Sequence, residues 1–331
     1  MKKKEIIGID ISKSTIDFVI YSNQKHFVVK NKNSGFKSMI KKVERFSPYS
    51  SDERLYVLEH TGMYSHLISL FFTKNNIDFV MVPGLEIKRS LGITRGKDDK
   101  VDAKKIALYG YRLREELKPT VISNQIMIKM KNLMRLRDRM VKQRAGYVAS
   151  LKEFKSIYKK KDNKVFFTAQ QSVINQLSKS IKKIEQEIDS LMEADEEIEL
   201  LYKLITSIKG VGRQTAIYLI IYTNGFIKFE NYRKFASYCG IAPFPYKSGT
   251  SIRGRTKVSN LANKKVKSLL DLCAKSAIQY NAEMKNYYNR RIAEGKSKMS
   301  TINIIRNKLL SRIFAVVKRR TPYVDIFGFA A

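Results

Sequence analysis

Cysteine, histidine and acidic residues are all scarce in this 331-residue chain, and each scarcity excludes something. Cys239 and Cys273 are the only cysteines, so no disulfide framework is read and a reducing compartment fits. The three histidines, His26, His60 and His66, have no cysteine near them, which argues against a structural zinc site. No His-x-x-Arg occurs, which disfavours a tyrosine recombinase. The longest apolar stretch, near Ala216–Tyr222, is far too short to span a bilayer. The lysines at the N-terminus precede an apolar run that Asp10 interrupts, so no signal peptide is read and a cytoplasmic, membrane-free protein is expected. Residues 92–97 read G-x-x-x-G-K followed by Asp98, one residue short of a P-loop and without its Ser/Thr. "GIDISKSTID" has a superficial likeness to a sugar-kinase phosphate loop but lacks the paired glycines, so ATP-driven chemistry loses support.

What is abundant is positive charge. Lys and Arg total 64 against 30 acids, a formal net charge of +34 and a pI near 10.0. A field of that size on a folded chain points to a polyanionic partner, most often nucleic acid. A ribosome-like or membrane-surface role is the alternative that charge alone leaves open. Hydrophobic content of 44%, with 18 Tyr and 17 Phe, argues for folded domains over a disordered basic tail. The length suggests about two domains.

The runs 5–11 and 16–22 flank a polar turn at Ser12–Thr15 and read as a β-hairpin, with a third strand at His26–Lys30. Helical spacing over 34–46, a strand at 54–58, a helix over 64–75, a strand at 78–82 and a helix over 102–117 follow. The order predicts an α/β domain, a mixed sheet covered by helices, over residues 1–118. Residues 119–200 change character. A long helix over 124–160 carries 11 Lys/Arg and two acids. After a break near 161–168, Ile174, Leu177, Ile181, Ile184, Ile188 and Leu191 alternate spacings of three and four, a heptad seam. An antiparallel helical hairpin, an oligomerising coiled coil or two core helices all satisfy it. Residues 201–331 read as a mainly α-helical basic domain.

In that domain Gly210 and Gly212 form a turn between two helices, which can expose backbone N–H groups to a DNA phosphate. With Lys209 and Arg213 this is a candidate nucleic-acid contact. Residues 247–267 contain Lys247, Arg253, Arg255, Lys257, Lys264, Lys265 and Lys267 and no acid. Ser248 lies among them, in a segment after Pro243 and Pro245 that reads as a loop. A serine ringed by fixed cations can attack a phosphodiester. From the residues alone, an ordinary polar loop residue beside a phosphate-binding patch is the favoured reading of Ser248.

Acids crowd together in one place, "GKDDKVDAKKIALYG" at 96–110. Asp99 and Asp102 are three residues apart and share a helix face or first turn. Asp10 lies within the first strand, where a carboxyl is costly to bury without a partner, and Glu59 ends the fourth. Strands one and four are commonly neighbours in sheets of this order. Each acid alone reads as a strand-end or helix-end residue. Four together repel one another unless cations lie between them, and hard divalent ions with oxygen ligands answer that need.

"GIDISK", "EHTGMY" and "KDDKVDAKKIA" resemble the RuvC-like DEDD domain of the IS-one-ten family of insertion-sequence transposases, relatives of the Piv/MooV DNA invertases. "IKGVGRQTA" and the 235–270 segment resemble that family's C-terminal transposase domain. The family pattern K-T-D-x-x-D-A has Asp98 here in place of Thr, so Asp98 or Asp99 is the first ligand of that pair, and Asp99 keeps the three-residue step. The resemblance implies an RNase H/RuvC-like fold with Asp10, Glu59, Asp99 and Asp102 as catalytic metal ligands for Mg²⁺, as two ions. It further implies Ser248 as a nucleophile forming a covalent DNA intermediate, donor and target DNA as substrates and a structured guide RNA, while the heptad seam adds a homo-oligomer, dimer or tetramer, as an expectation. The rival readings are a RuvC-like junction nuclease without a covalent intermediate and a non-enzymatic basic nucleic-acid-binding protein.

Overall fold

The computed structural model describes residues 3–60, 62–90, 92, 98–120 and 124–325. Met1 and Lys2, and with them the start of the N-terminal lysine run, lie outside these residues. So do residues 93–97, which hold most of the P-loop-like passage. The chain divides into two compact units, Met1–Ile122 and Ser123–Ala331.

The first unit is a mixed five-stranded sheet in the order β3-β2-β1-β4-β5. Its strands are β1 (Glu5–Ile11), β2 (Thr15–Ile20), β3 (Lys25–Lys30), β4 (Arg54–Glu59) and β5 (Phe79–Val82). The β1, β2 and β3 strands are antiparallel, whereas β4 lies parallel to both β1 and β5. The second strand ends earlier than the sequence predicts because a turn over 21–24 begins there, with Gln24 at a φ of 56°. Period-two alternation gives the sheet two buried faces. Ile7, Ile9 and Ile11 join Phe18 and, beyond the sheet, Phe36 and Met39 of α1 (Asn33–Phe46) and Phe72 of α2 (His66–Lys74). Ile6, Leu55, Val57 and Val80 face the other way, onto Ile106 and Tyr109 of α4 (Asp99–Arg112). Each fully buried Ile or Leu contributes about 1.5–3 kcal/mol, which is what fixes the register. A short helix, α3 (Gly84–Ser90), was not expected; seven residues show no period to read.

The second unit begins with α5 (Gln125–Ile157) and α6 (Lys164–Glu193), which lie antiparallel. Contacts step in opposite directions along them: Lys129 with Glu187, Arg137 with Glu185, Arg144 with Ser178, and Phe154 stacked on Phe166. Among the seam positions, Ile174, Ile181, Ile184 and Ile188 are buried. The helical hairpin is thus formed within one chain. Its Met127, Met130, Met134, Ile188 and Met192 share a core with the helices that follow. These are α7 (Glu196–Thr206), α8 (Arg213–Thr223), α9 (Tyr232–Tyr238), α10 (Lys264–Tyr280), α11 (Ala282–Ala293) and α12 (Lys298–Arg319). Between α9 and α10 runs a two-stranded antiparallel ribbon, β6 (Pro243–Ser248) and β7 (Ile252–Val258). No helix among the described residues is long and apolar enough to cross a membrane.

Candidate active site

The approach of α4 to the sheet decides the first site. A Cβ on Gly8 would fall 2.2 Å from the Ala107 backbone nitrogen and 2.5 Å from the Ala103 carbonyl oxygen. Only glycine on β1 and small residues on α4 permit so close a docking. Ala103 and Ala107 are fully buried, and a Cβ on Gly110 would meet Ile6 and Val57 at 2.7 Å. Helix α4 therefore lies flat on β1, with its first turn toward the end of the strand where Asp10 sits.

Asp10 is the sixth residue of β1 and, by alternation, shares the face of Ile6 and Gly8. The β1–β4 register pairs Ile9 with Leu58, so the next position along sets Asp10 beside Glu59. Asp99 and Asp102 open α4. The convergence is visible in the Asp10 carboxyl, whose pKa is pushed up to about 6. Burial is the largest cause, offset by the Ile11 amide and reinforced by the charges of Asp99, Glu59 and Asp102. Asp98 is the N-cap residue, its side chain takes no capping bond, and its charge is not among those acting on Asp10.

Neighbours hold the remaining acids. Lys105 Nζ lies 3.1 Å from Asp102 Oδ1. The Glu59 carboxylate packs against Gly84, where a Cβ would come within 2.2 Å of Oε1. Asp17, which the sequence reading missed, lies opposite Asp10 across the β1–β2 ladder, buried and 2.8 Å from His26 Nε2. No signal in "TIDFVI" alone sets it beside Asp10, since that depends on the β1–β2 register. A second missed acid, Glu5, is fully buried at the far end of β1, where the Ser22 amide and the Ser22 and Ser47 hydroxyls donate to it. Its partners mark it as structural.

The donor set is all carboxylate, which fits a hard divalent cation. Burial raises the Asp10 pKa most, and the neighbouring carboxylates add to it. Among the described residues, no three His, Cys, Asp or Glu side chains are gathered closely enough to hold an ion without adjustment. Lys105 meets part of the charge on Asp102 meanwhile.

In the second unit, Ser248 ends β6 and is exposed. The segment expected to be a loop is a β-ribbon, because Gly249, at a φ of 54°, lets the chain reverse between Ser248 and Ile252. Lys247, Arg253, Arg255 and Lys257 are exposed along the ribbon and make no ion pair among the described residues. Lys264 opens α10 and is likewise exposed. Lys265 instead pairs with Asp138 at 3.0 Å, an acid that also accepts from the Tyr218 hydroxyl. Burial first, and then that bond, push the Tyr218 pKa well up.

The α7–α8 turn has the expected position but its groups are partly engaged. Gly210, at a φ of 99°, packs on Ala277, where a Cβ would come within 2.9 Å. Gly212 is exposed at the N-cap of α8, beside the buried Cys273 thiol, whose pKa burial pushes up against the opposing contributions of Thr215 and the Gly212 backbone. Arg213 reaches Asp189 at 2.6 Å and the Glu185 carbonyl. Lys209 is exposed.

Comparison with known proteins finds two matching segments, the first of which runs past the boundary between the two units into α5. A DEDD transposase profile of the IS110 group matches residues 7–154, and the profile described as "Transposase IS116/IS110/IS902 family" matches residues 202–289. The pilin gene-inverting proteins of Moraxella lacunata and Moraxella bovis are each 28% identical to the chain, over 97% of it and 98% of their own lengths. An uncharacterized protein of insertion element IS110 from Streptomyces coelicolor is 30% identical over 42% of this chain and 33% of its own.

Proposed function

Because the chain belongs to the IS110 family of transposases, and is thereby a DNA transposase or recombinase, we propose that it cuts and rejoins DNA through a serine-linked intermediate. The observation that carries the metal half of this reading is the docking of α4 on Gly8, with Asp99 and Asp102 of that helix, and Glu59 of the neighbouring β4, within electrostatic reach of Asp10. The sheet order β3-β2-β1-β4-β5, antiparallel and then parallel, supports an RNase H/RuvC-like domain. The DEDD domain implies divalent-metal use. Two Mg²⁺ ions held by Asp10, Glu59, Asp99 and Asp102 would supply charge neutralisation at the phosphate.

Ser248 carries the second half. Its Oγ forms a bond to phosphorus as the bond from phosphorus to the leaving deoxyribose oxygen breaks. The serine proton passes to solvent at the exposed Ser248, and the leaving oxygen takes one from solvent. No histidine lies in the 247–267 segment to accept that proton. The exposed Lys247, Arg253, Arg255 and Lys257 stabilise charge on the non-bridging oxygens. The ester keeps the bond energy for rejoining, so no ATP is required. Lys209, Gly210, Gly212, Arg213, Lys264 and Lys265 hold flanking phosphates, with Arg213 and Lys265 exchanging Asp189 and Asp138 for the backbone.

Trapping the intermediate tests this. Native protein incubated with donor and target DNA and Mg²⁺ is expected to yield a denaturant-resistant protein–DNA adduct, lost in Ser248→Ala and in Asp10→Ala. An adduct that survives Ser248→Ala removes the serine role. Cleavage without any adduct supports a RuvC-like junction nuclease, and metal-independent binding without cleavage supports a non-enzymatic role.

The same reading includes a guide RNA, a dimer or tetramer with part of the helical hairpin as a coiled-coil contact, and action in the cytoplasm. The net charge of +34 supports the RNA, and sequencing RNA that copurifies with the protein tests it.

A further inference from the structure

The β6–β7 ribbon has two unlike faces. Along β6, alternation puts Phe244, Tyr246 and Ser248 on one face and Lys247 on the other. The register confirms the division, since Tyr246 lies opposite Gly254 and Lys247 opposite Arg253. Phe244 and Tyr246 are large apolar rings, yet they are 47% and 66% exposed. Neither belongs to a hydrophobic core or stacks on another ring among the described residues.

Tyr246 is also held in position. A Cβ on Gly254 would fall 2.7 Å from Tyr246 Cδ1, so the ring lies across the glycine and turns its other side outward. A ring fixed on one side and bare on the other is a stacking platform. The register irregularity between Phe244 and Tyr246 takes its extra residue on β7, where Lys257 to Gly254 spans three positions, so β6 keeps its alternation and both rings stay on the face of Ser248.

We propose that this face stacks the unpaired bases of a single-stranded DNA segment next to the phosphate that Ser248 attacks. Charge chooses the occupant. The 243–270 segment holds seven Lys/Arg and no acid, so a polyanion fits it. A closed duplex has phosphates but hides its base faces, whereas an opened strand offers both. The inference rests on the DNA-recombinase reading and adds to it that the strand is unpaired at the site.

The test uses the full-length chain, a single-stranded oligonucleotide carrying 2-aminopurine, and a blunt duplex of the same sequence. Native protein is expected to quench the 2-aminopurine on binding. Phe244→Ala with Tyr246→Ala should lose the quenching and weaken single-strand binding by about tenfold or more. Duplex affinity should stay within about twofold, and Tyr246→Trp should retain the quenching. Equal loss of both affinities would make the ribbon an electrostatic grip and overturn the proposal. Unchanged single-strand binding overturns it too, and if the variant also elutes as a smaller species, the face is a contact between copies. Adducts are scored separately: native protein that stacks bases but forms none refutes the covalent step and leaves the stacking standing.

Discussion

At the residue scale Asp10 is the most perturbed of the candidate acids. Its pKa of about 6, against an ordinary 3.8, means the folded protein keeps a proton that the unfolded chain releases in between. This group therefore favours the fold below about pH 4 and loses that contribution as pH rises through 6. Without divalent metal, Asp10→Asn should melt higher than the native protein at pH 7, the two converging near pH 4. Mg²⁺ should raise the melting temperature of the native protein at pH 7 and leave Asp10→Asn unmoved; thermal scans with and without chelator check both. Asp10, Glu59, Asp99 and Asp102 could each be named from the sequence, because acids are rare in this chain and their residue types declare oxygen chemistry. Asp17 and the Gly84 contact could not be weighed there, since their meaning depends on what lies across a strand or beyond a loop.

Helix α4 is the element on which the site depends. Its small residues let backbone approach backbone at Gly8, and rigid peptide groups cannot move aside as side chains can. Gly8→Ala should cost about 1–3 kcal/mol from overpacking and should also reduce metal-dependent activity, because Asp99 and Asp102 shift with the helix. Gly110→Ala, whose Cβ would meet only the side chains of Ile6 and Val57, should cost less. Urea melts of the two variants, set beside their activities, decide whether the contact works in this way. The second unit teaches a related point. Pro243 and Pro245 suggest a loop, but prolines suit a ribbon whose edges face solvent, and Gly249 makes the tight turn that pairs Ser248 with Ile252 and, at the other end, Pro243 with Val258.

For the whole molecule, the net charge of +34 predicts DNA binding dominated by phosphate contacts and strongly weakened by salt. Changing Arg253, Arg255 and Lys257 together to Gln should flatten the plot of log affinity against log salt by about 2.7, roughly 0.9 for each lost contact. An unchanged slope from titrations across a range of salt would show that the ribbon does not touch phosphate. The sequence by itself determined the mixed sheet, the helical second half, the heptad seam and the identity of the candidate acids, because periodicity and residue chemistry are local properties. It could not choose between a hairpin and an assembly for α5 and α6, which the antiparallel contacts from Lys129–Glu187 to Phe154–Phe166 resolve as a hairpin within one chain. Nor could it show that Arg213 and Lys265 already have acid partners, or that Asp98 stands outside the group acting on Asp10. Those facts arise from residues far apart in the chain, and only the folded packing brings them within reach of one another.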